Sequence, residues 1–186
     1  MGKTVTKEWV SDKIDGIAIN KNIPCSASNY KACKSREVSY VVMHYTGNAK
    51  DTAKGNATYF QGSDRNASAH FFVDETSIYQ SVPLHAIAWH CGAKEYFHKN
   101  CRNINAIGIE MCTSGNSKVS EKTKKHAANL CAYICRELGI TGDQVDTCVL
   151  RHYDVTHKRC PAQMVDSPDE WKAFKKQVKD ILNGKK

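Results

Sequence analysis

The stretch "EVSYVVMHYT", residues 37–46, is a β-branched and aromatic run that predicts a buried strand ending at His44. A second apolar run, "NAIGIEMC" (105–112), predicts another buried strand. The segment "SAHFFVDETSIYQSVP" (68–83) predicts two strands joined by a tight Asp-Glu-Thr-Ser turn. A last strand is expected in "DTCVLRHYD" (146–154), ending at His152. The chain therefore contains several strands with apolar sequences, which indicates a sheet with a buried centre.

Two helices are predicted between these strands. The segment "DTAKGNATYFQG" is typical of a helix capped by Asp51 that ends near Gly62. Ser120 is then expected to cap a longer helix that ends at Gly139. The apolar face of this longer helix is predicted at Ala127, Cys131, Ile134 and Leu138.

A third helix is predicted over "SPDEWKAFKKQVKDIL", with Ser167 as N-cap, Pro168 at the first helical position and Glu170 closing a capping box. Its inward stripe is predicted at Trp171, Phe174, Val178 and Ile181. Because strands and helices alternate, the predicted fold class is α/β, a single domain with a central mixed β-sheet flanked by helices. Residues 1–36 are expected to be a polar, loop-like segment that packs on the main domain at residues 37–186.

The composition is that of a globular protein with a strongly basic balance. The formal net charge is +8, which favours polyanionic partners such as nucleic acid, anionic lipid or the teichoic acids of cell walls. A solvated cationic face is the alternative for the lysines that crowd near the C-terminus: Lys172, Lys175, Lys176, Lys179, Lys185 and Lys186. No zinc-finger spacing or RNP-like motif is present, so we expect no nucleic-acid partner.

Membrane and secretion signals are also missing from the sequence. No apolar run approaches the roughly 20 residues of a membrane span, so no stable membrane insertion is expected. The first residues, "MGKTVTKEWVSDKIDG", contain no apolar core of a secretory signal, which indicates synthesis in the cytoplasm.

The nine cysteines include no C-x-x-C pair, which argues against a zinc ribbon or a thioredoxin-like motif. Four of them lie in apolar patterns and are predicted to be buried small hydrophobes: Cys112, Cys131, Cys135 and Cys148. In an oxidising medium Cys25 with Cys33, or Cys91 with Cys101, would be able to form loop disulfides.

Two predicted strands end in histidine, His44 and His152, and Cys160 follows in "KRCP". Two imidazoles and a thiolate suit one tetrahedral Zn²⁺ ion, and three protein ligands are the arrangement of a catalytic site with an open position. The alternative is that each histidine is an ordinary hydrogen-bonded surface residue.

Glu110 and Lys158 are candidates for the chemistry around such an ion. Glu110 ends an apolar strand, where a carboxylate either faces solvent or is buried for a purpose. On the same face as His44 it would be able to act as acid and base, and Lys158 would be able to stabilise an oxyanion. His157, in the loop before Lys158, is expected to have no role.

Four segments in order resemble the zinc-dependent N-acetylmuramoyl-L-alanine amidases, a class that includes phage and prophage endolysins and is related to peptidoglycan recognition proteins. They are "VVMHYTGN", "NASAHFFVDETSIYQSVPLHAIAWHCG", "NINAIGIEM" and "LRHYDVTHKRCPAQM", and they span about residues 38–164. The resemblance implies that His44, His152 and Cys160 bind one zinc ion. It also implies that Glu110 is the catalytic acid/base and that Lys158 stabilises the transition state.

The implied reaction is hydrolysis of the amide between the lactyl group of N-acetylmuramic acid and L-alanine in bacterial peptidoglycan. His70, Trp89 and His90 would line or support the substrate cleft, although structural roles remain open for His70 and Trp89. Some family members have a catalytic tyrosine where this chain has Ala69, so that role is absent here.

Two other functions remain open for a protein of this fold. One is a module that binds peptidoglycan without cleaving it, but such relatives typically lack the cysteine ligand. The other is a cytosolic wall-recycling amidase, in which an aspartate commonly replaces Cys160. The cysteine favours the endolysin branch, whose members reach the wall after release through a membrane pore. No wall-binding repeat follows "NGKK", so the sequence is either a stand-alone catalytic domain or part of a longer protein.

Overall fold

The computed structural model describes residues 2–184, so Met1 and two of the predicted basic residues, Lys185 and Lys186, lie outside the described residues. The strands are β1 (Lys3–Val5), β2 (Lys13–Ile14), β3 (Ile17–Asn20), β4 (Tyr30–Lys31), β5 (Arg36–Val38), β6 (Tyr40–Tyr45), β7 (Phe71–Val73), β8 (Ile78–Gln80), β9 (Ile87–Ala88), β10 (Ala106–Met111) and β11 (Val149–Arg151). The helices are α1 (Ala53–Gln61), α2 (Glu121–Leu138), α3 (Val145–Cys148), α4 (His152–Thr156), α5 (Ala162–Asp166) and α6 (Pro168–Leu182).

Within residues 2–184 the central sheet has seven strands in the order β11-β6-β10-β7-β8-β3-β2. Strands β11, β6, β10 and β7 are parallel, whereas β8 is antiparallel to β7 and β2 is antiparallel to β3. The predicted fold class, an α/β domain with a mixed sheet between helices, is confirmed. None of the helices in this described range is long and apolar enough to cross a membrane.

The two faces of the sheet are covered differently. Met43 and Ile109 point to one face and join the main core with residues of α2 and α6 such as Ile134 and Phe174. On the other face Phe72 packs with residues of α1 in a smaller cluster. Burial on both faces is the reason that β6 and β10 are continuous apolar runs, which made them recognisable from the sequence.

The loop-like prediction for the N-terminal segment was wrong, because several short strands form there. Strand β3 pairs in parallel with β8 and so extends the central sheet, while β1 pairs with β5. These strands have two to four residues, and of β3 only Ile19 is buried. Such short, half-exposed strands leave no alternation long enough to identify in the sequence.

The predicted cap of α1 was also wrong. Thr52 Oγ1 accepts the hydrogen bond from the Gly55 backbone N–H at 3.0 Å. The Asp51 carboxylate instead accepts from the Thr113 backbone N–H at 2.7 Å and therefore ties the start of α1 to the end of β10. Either residue type is a good N-cap, so the sequence alone favours neither.

The caps of the other two long helices agree with the prediction only in part. Ser120 accepts from the Thr123 backbone N–H at the start of α2, and Gly139 ends that helix with a φ of 70°. Ser167 does occupy the N-cap position of α6, but its side chain makes no capping hydrogen bond. Glu170 does not close a capping box, because its carboxylate accepts from Lys124 Nζ at 2.7 Å.

The last strand is shorter than the sequence indicates. Residues 145–148 form the helical turn α3, and β11 ends at Arg151. His152 therefore begins the short helix α4 rather than ending a strand. The Asp154 carboxylate accepts from the Arg151 backbone N–H at 2.8 Å, which turns the chain into α4 directly after β11.

All nine cysteines are free thiols in the structure, including the Cys25, Cys33, Cys91 and Cys101 that would have formed the two alternative disulfides. Three of the four cysteines predicted as buried small hydrophobes are fully buried, whereas Cys148 is half-buried against the core.

A buried guanidinium joins the N-terminal segment to the sheet. Arg36 donates to the backbone carbonyls of Leu84, Ile104 and Ala106 at 2.9–3.0 Å, and its Nη2 lies 2.9 Å from His70 Nε2. Burial lowers the pKa of Arg36 to about 10, so the group remains charged at neutral pH. Backbone carbonyl groups accept the hydrogen bonds of this buried cation, and these buried carbonyls in turn rely on Arg36 as a hydrogen-bond donor.

We predict that Arg36→Met lowers the free energy of unfolding by about 3 kcal/mol, because buried carbonyls lose their donors while the side-chain volume is kept. Urea denaturation measures this change. Arg65→Met is the matched control, since Arg65 is exposed and its loss should cost less than about 1 kcal/mol. Equal destabilisation by the two variants would show that the buried hydrogen bonds of Arg36 contribute nothing specific.

Candidate metal centre and active-site cleft

The candidate site lies at the carboxyl ends of the parallel strands β6, β10 and β11. Glu110 of β10 is directly opposite His44 of β6 in the strand register. Paired residues of adjacent parallel strands point to the same face, so both side chains reach the same side of the sheet. His152 follows β11 on the other side of β6, which brings three separate segments of the chain to one edge.

Three buried side chains converge at this edge. His44 Nδ1 lies 3.1 Å from His152 Nδ1 and 3.9 Å from Cys160 Sγ. The ligand atoms of all three residues lie within 4.8 Å of one another. Nitrogen ligands of a tetrahedral zinc ion lie about 3.3 Å apart, and a nitrogen and a sulfur ligand about 3.5 Å apart. The donor set and its spacing therefore fit one zinc ion.

The protonation states of these residues also suit a metal centre. Burial lowers the pKa of His44 well below its usual range and that of His152 to about 4, so both imidazoles are neutral near pH 7. Burial, together with the nearby carboxylate of Glu110, raises the pKa of Cys160 to about 12. A cation bound beside this thiol would stabilise the thiolate and release its proton.

His90 contacts the Nε2 atom of His44, whereas the Nδ1 atom of the same ring is the one close to His152 and Cys160. His90 Nδ1 lies 3.0 Å from His44 Nε2, and the two rings meet edge to face. If His44 binds a metal through Nδ1, its Nε2 carries the proton and donates it to His90. Gly108 makes this approach possible, because a Cβ at that position would lie 2.6 Å from His90 Cγ. Sequence reasoning placed His90 in the cleft wall and missed this contact.

His70 and Trp89 differ in their surroundings. His70 is 0% exposed, accepts from the Gly108 backbone N–H at 3.0 Å through Nδ1, and contacts Arg36 through Nε2. These contacts support the structural alternative for His70. Trp89 is half-buried and lines the cleft, with its backbone N–H donating to Ser68 Oγ at 3.0 Å.

Glu110 is a carboxylate held without a partner beside the three converging ligands. Its Oε2 is buried and has no hydrogen-bond partner among the described residues. Burial raises the pKa of Glu110 to about 7, although the nearby ammonium of Lys158 opposes this shift. Lys158 is exposed at the cleft, and within residues 2–184 its ammonium forms no ion pair. A buried acid with a pKa near 7 is suited to both accepting and donating a proton.

Three cavities lie at this edge of the sheet and share lining residues. The central cavity, of ≈ 170 Å³, is lined by the three candidate ligands together with Glu110, Lys158, Trp89, His90 and Ala69. Glu110 is shared with a cavity of ≈ 570 Å³ beside α1. Lys158 and Trp89 are shared with a second cavity of ≈ 570 Å³ on the opposite side. The candidate metal centre thus lies in the cavity that shares lining residues with both of the larger ones.

Comparison with known proteins identifies the family of the chain. A family model described as N-acetylmuramoyl-L-alanine amidase matches residues 34–163. A probable N-acetylmuramoyl-L-alanine amidase of Bacillus licheniformis is 33% identical over 175 residues, which cover 90% of this chain and 48% of that protein. The amidase BlyA of Bacillus subtilis (strain 168) is 30% identical over 178 residues, covering 89% of this chain and 48% of BlyA.

A solved structure gives the same result at the level of the fold. The catalytic domain of XlyA superposes with a TM-score of 0.71 at 27% identity, covering 87% of this chain and 99% of that domain. The chain spans about half the length of the curated relatives it matches.

We predict that Cys160→Ser loses bound zinc, because a serine hydroxyl is a poor replacement for a soft thiolate ligand. Zinc content is measured by atomic absorption after dialysis against a weak chelator, with Cys25→Ser as the control. A folded Cys160→Ser protein that keeps one zinc per chain would show that the assigned ligand set is wrong.

We also predict that His90→Ala lowers zinc affinity by about 10- to 100-fold, because His44 loses the acceptor that fixes its tautomer. His90→Asn places an amide oxygen near the lost Nδ1 and should restore part of the affinity. Competition with a chromophoric chelator measures both constants without any assay of activity. Wild-type affinity in His90→Ala would contradict the positioning role.

Proposed function

Because the chain belongs to the N-acetylmuramoyl-L-alanine amidase family, we propose that it hydrolyses the amide bond between N-acetylmuramic acid and L-alanine of the peptidoglycan stem peptide. The proposal is carried by Glu110, which is in register with His44 and whose buried Oε2 has no hydrogen-bond partner among residues 2–184. A carboxylate buried without a partner is costly to the fold, and such groups are concentrated at functional sites.

The candidate ligands supply the first part of the proposed chemistry. His44, His152 and Cys160 would hold one Zn²⁺ ion, which when bound acts as a Lewis acid toward the amide carbonyl and toward water. His90 orients the ring of His44 through their 3.0 Å contact. The depressed pKa values of the two histidines keep both lone pairs free at neutral pH.

Glu110 and Lys158 supply the proton transfers and the oxyanion stabilisation of the proposed reaction. Glu110 accepts a proton from the attacking water and later donates it to the nitrogen of the departing L-alanine. The ammonium of Lys158 stabilises the negative charge that develops on the former carbonyl oxygen. Ala69 lines the central cavity at the position where some family members carry a tyrosine, so both proton transfers rest on Glu110.

A binding module without catalysis is the second candidate. Its binding cleft would need neither a lone carboxylate beside the ligands nor a cysteine in the third ligand position. Glu110, Lys158 and Cys160 together therefore favour the enzyme. Loss of turbidity of a wall suspension, compared with and without a chelator, separates the two candidates.

The biological setting is the endolysin type, with action on the bacterial wall after release from the cytoplasm. A role of the basic surface in binding anionic wall polymers is weakened by ion pairing on α6. Each described lysine of that cluster pairs with an acid: Lys172 with Asp169, Lys175 and Lys179 with Asp146, and Lys176 with Asp180. This pairing favours the solvated-face alternative, and lysis that does not depend on salt would support it.

We predict that Glu110→Gln lowers turnover by about 10²- to 10⁴-fold, because the amide keeps the shape of the side chain and cannot accept the proton. Zinc content should stay at the wild-type level, since Glu110 is not among the candidate ligands. Mass spectrometry of digested wall measures turnover as new L-alanine N-termini on an intact glycan. Near-normal release by a folded, zinc-loaded variant would refute the assignment of Glu110.

A further inference from the structure

Two buried cysteines outside the candidate ligand set lie against each other. Cys91 and Cys101 are both 0% exposed, and their thiols hydrogen-bond one another. They pack in a small apolar cluster that includes Val42 and Leu150. Val42 precedes His44 by two positions in β6, so the cluster lies on the sheet face that carries the candidate site.

The chain between the two cysteines is an exposed loop. Residues 92–100 contain no helix or strand, and most of their side chains are exposed, among them Lys94, Glu95 and Lys99. A loop of this kind opens locally at a low free-energy cost, which gives small reagents access to the thiols beneath it. The two thiols are therefore buried in the folded chain and still within reach of a reagent.

Contacts on both sides of the loop hold the two cysteines in place. Asn103 Oδ1 accepts the backbone N–H of Cys91 at 2.8 Å. The backbone N–H of Cys101 donates to His98 Nδ1 at 2.9 Å. Neither cysteine belongs to a helix or strand that would have to distort if the two sulfur atoms became bonded.

A second pair of adjoining thiols differs in this respect. Cys131 and Cys135 also hydrogen-bond each other, but they are one turn apart on α2. Cβ atoms at this helical spacing are about 5–6 Å apart, whereas a disulfide needs about 3.5–4.5 Å. Because α2 would have to distort to close that bond, we expect this pair to stay reduced.

We propose that Cys91 and Cys101 are a redox-active pair that low-molecular-weight disulfides oxidise to an intramolecular disulfide. The thiolate of one cysteine attacks the S–S bond of the reagent, forms a mixed disulfide and expels one reagent thiolate. The thiolate of the other cysteine then attacks the protein sulfur of the mixed disulfide and expels the second reagent thiolate. Two electrons pass from the pair to the reagent, whose two thiolates take up the two protons that the cysteines lose. The inference does not depend on the proposed amidase activity.

The disulfide would fix the segment that carries His90. Cys91 is the next residue, and Asn103 Oδ1 already accepts the His90 backbone N–H at 3.1 Å. A bond from Cys91 to Cys101 removes conformations in which this segment and the loop move away from the sheet. Oxidation would therefore stabilise the surroundings of His44, which His90 contacts.

Oxidised glutathione tests the pair in the whole chain. After incubation with it, digestion by trypsin without reductant and mass spectrometry should give one peptide pair joined through Cys91 and Cys101. The midpoint of thermal unfolding should rise by about 5–10 °C and return to its starting value after reduction. Cys101→Ala should show no rise, whereas Cys131→Ala, the matched buried control from α2, should keep it.

Each result decides a separate part of the inference. A folded wild-type chain without the joined peptides, or with other cysteines joined in their place, refutes the redox-active pair. A bond between Cys91 and Cys101 that leaves the unfolding midpoint unchanged refutes the stabilisation of the His90 segment. An equal rise in Cys101→Ala would assign the stabilisation to another bond. The peptide map needs only the wild type, so it decides the first point even when a variant does not fold.

Discussion

The structure depends on the register between β6 and β10 at the carboxyl edge of the parallel sheet. Because Glu110 is paired with His44, the carboxylate and the first candidate ligand are held on one face by backbone hydrogen bonds. A shift of β10 by one residue would turn Glu110 to the opposite face and separate it from His44. The loop after α4 returns the chain to this edge of the sheet and places Cys160 there. The Sγ of Cys160 accepts from the Tyr45 backbone N–H at 3.4 Å.

A chain of buried polar contacts links this edge to the body of the protein. Arg36 contacts His70, His70 accepts from Gly108, Gly108 leaves the space that His90 fills, and His90 contacts His44. The histidine and arginine side chains in this chain of contacts are all buried. These contacts thereby position the ring of His44, a candidate metal ligand.

The family resemblance and the α/β fold were predictable from the sequence and are confirmed, because buried strands and motifs such as "GIEM" leave strong local patterns. The N-terminal strands were not predictable, since such short strands have no periodicity. The cap of α1 was not predictable either, because Asp51 and Thr52 are equally good caps. The contact of His90 with His44 joins residues 46 positions apart through the space above a glycine, and no pattern in one sequence records it. The expectation that His157 has no role stays a prediction, although its ring lines a cavity beside the candidate site.

The assignment of His44, His152 and Cys160 as the ligands of one zinc ion can be tested by X-ray absorption at the zinc edge of the metal-loaded protein. We expect one sulfur scatterer at about 2.3 Å together with nitrogen or oxygen scatterers at about 2.0–2.1 Å. A zinc ion surrounded by nitrogen and oxygen alone would contradict this assignment, because Cys160 would then not be a ligand.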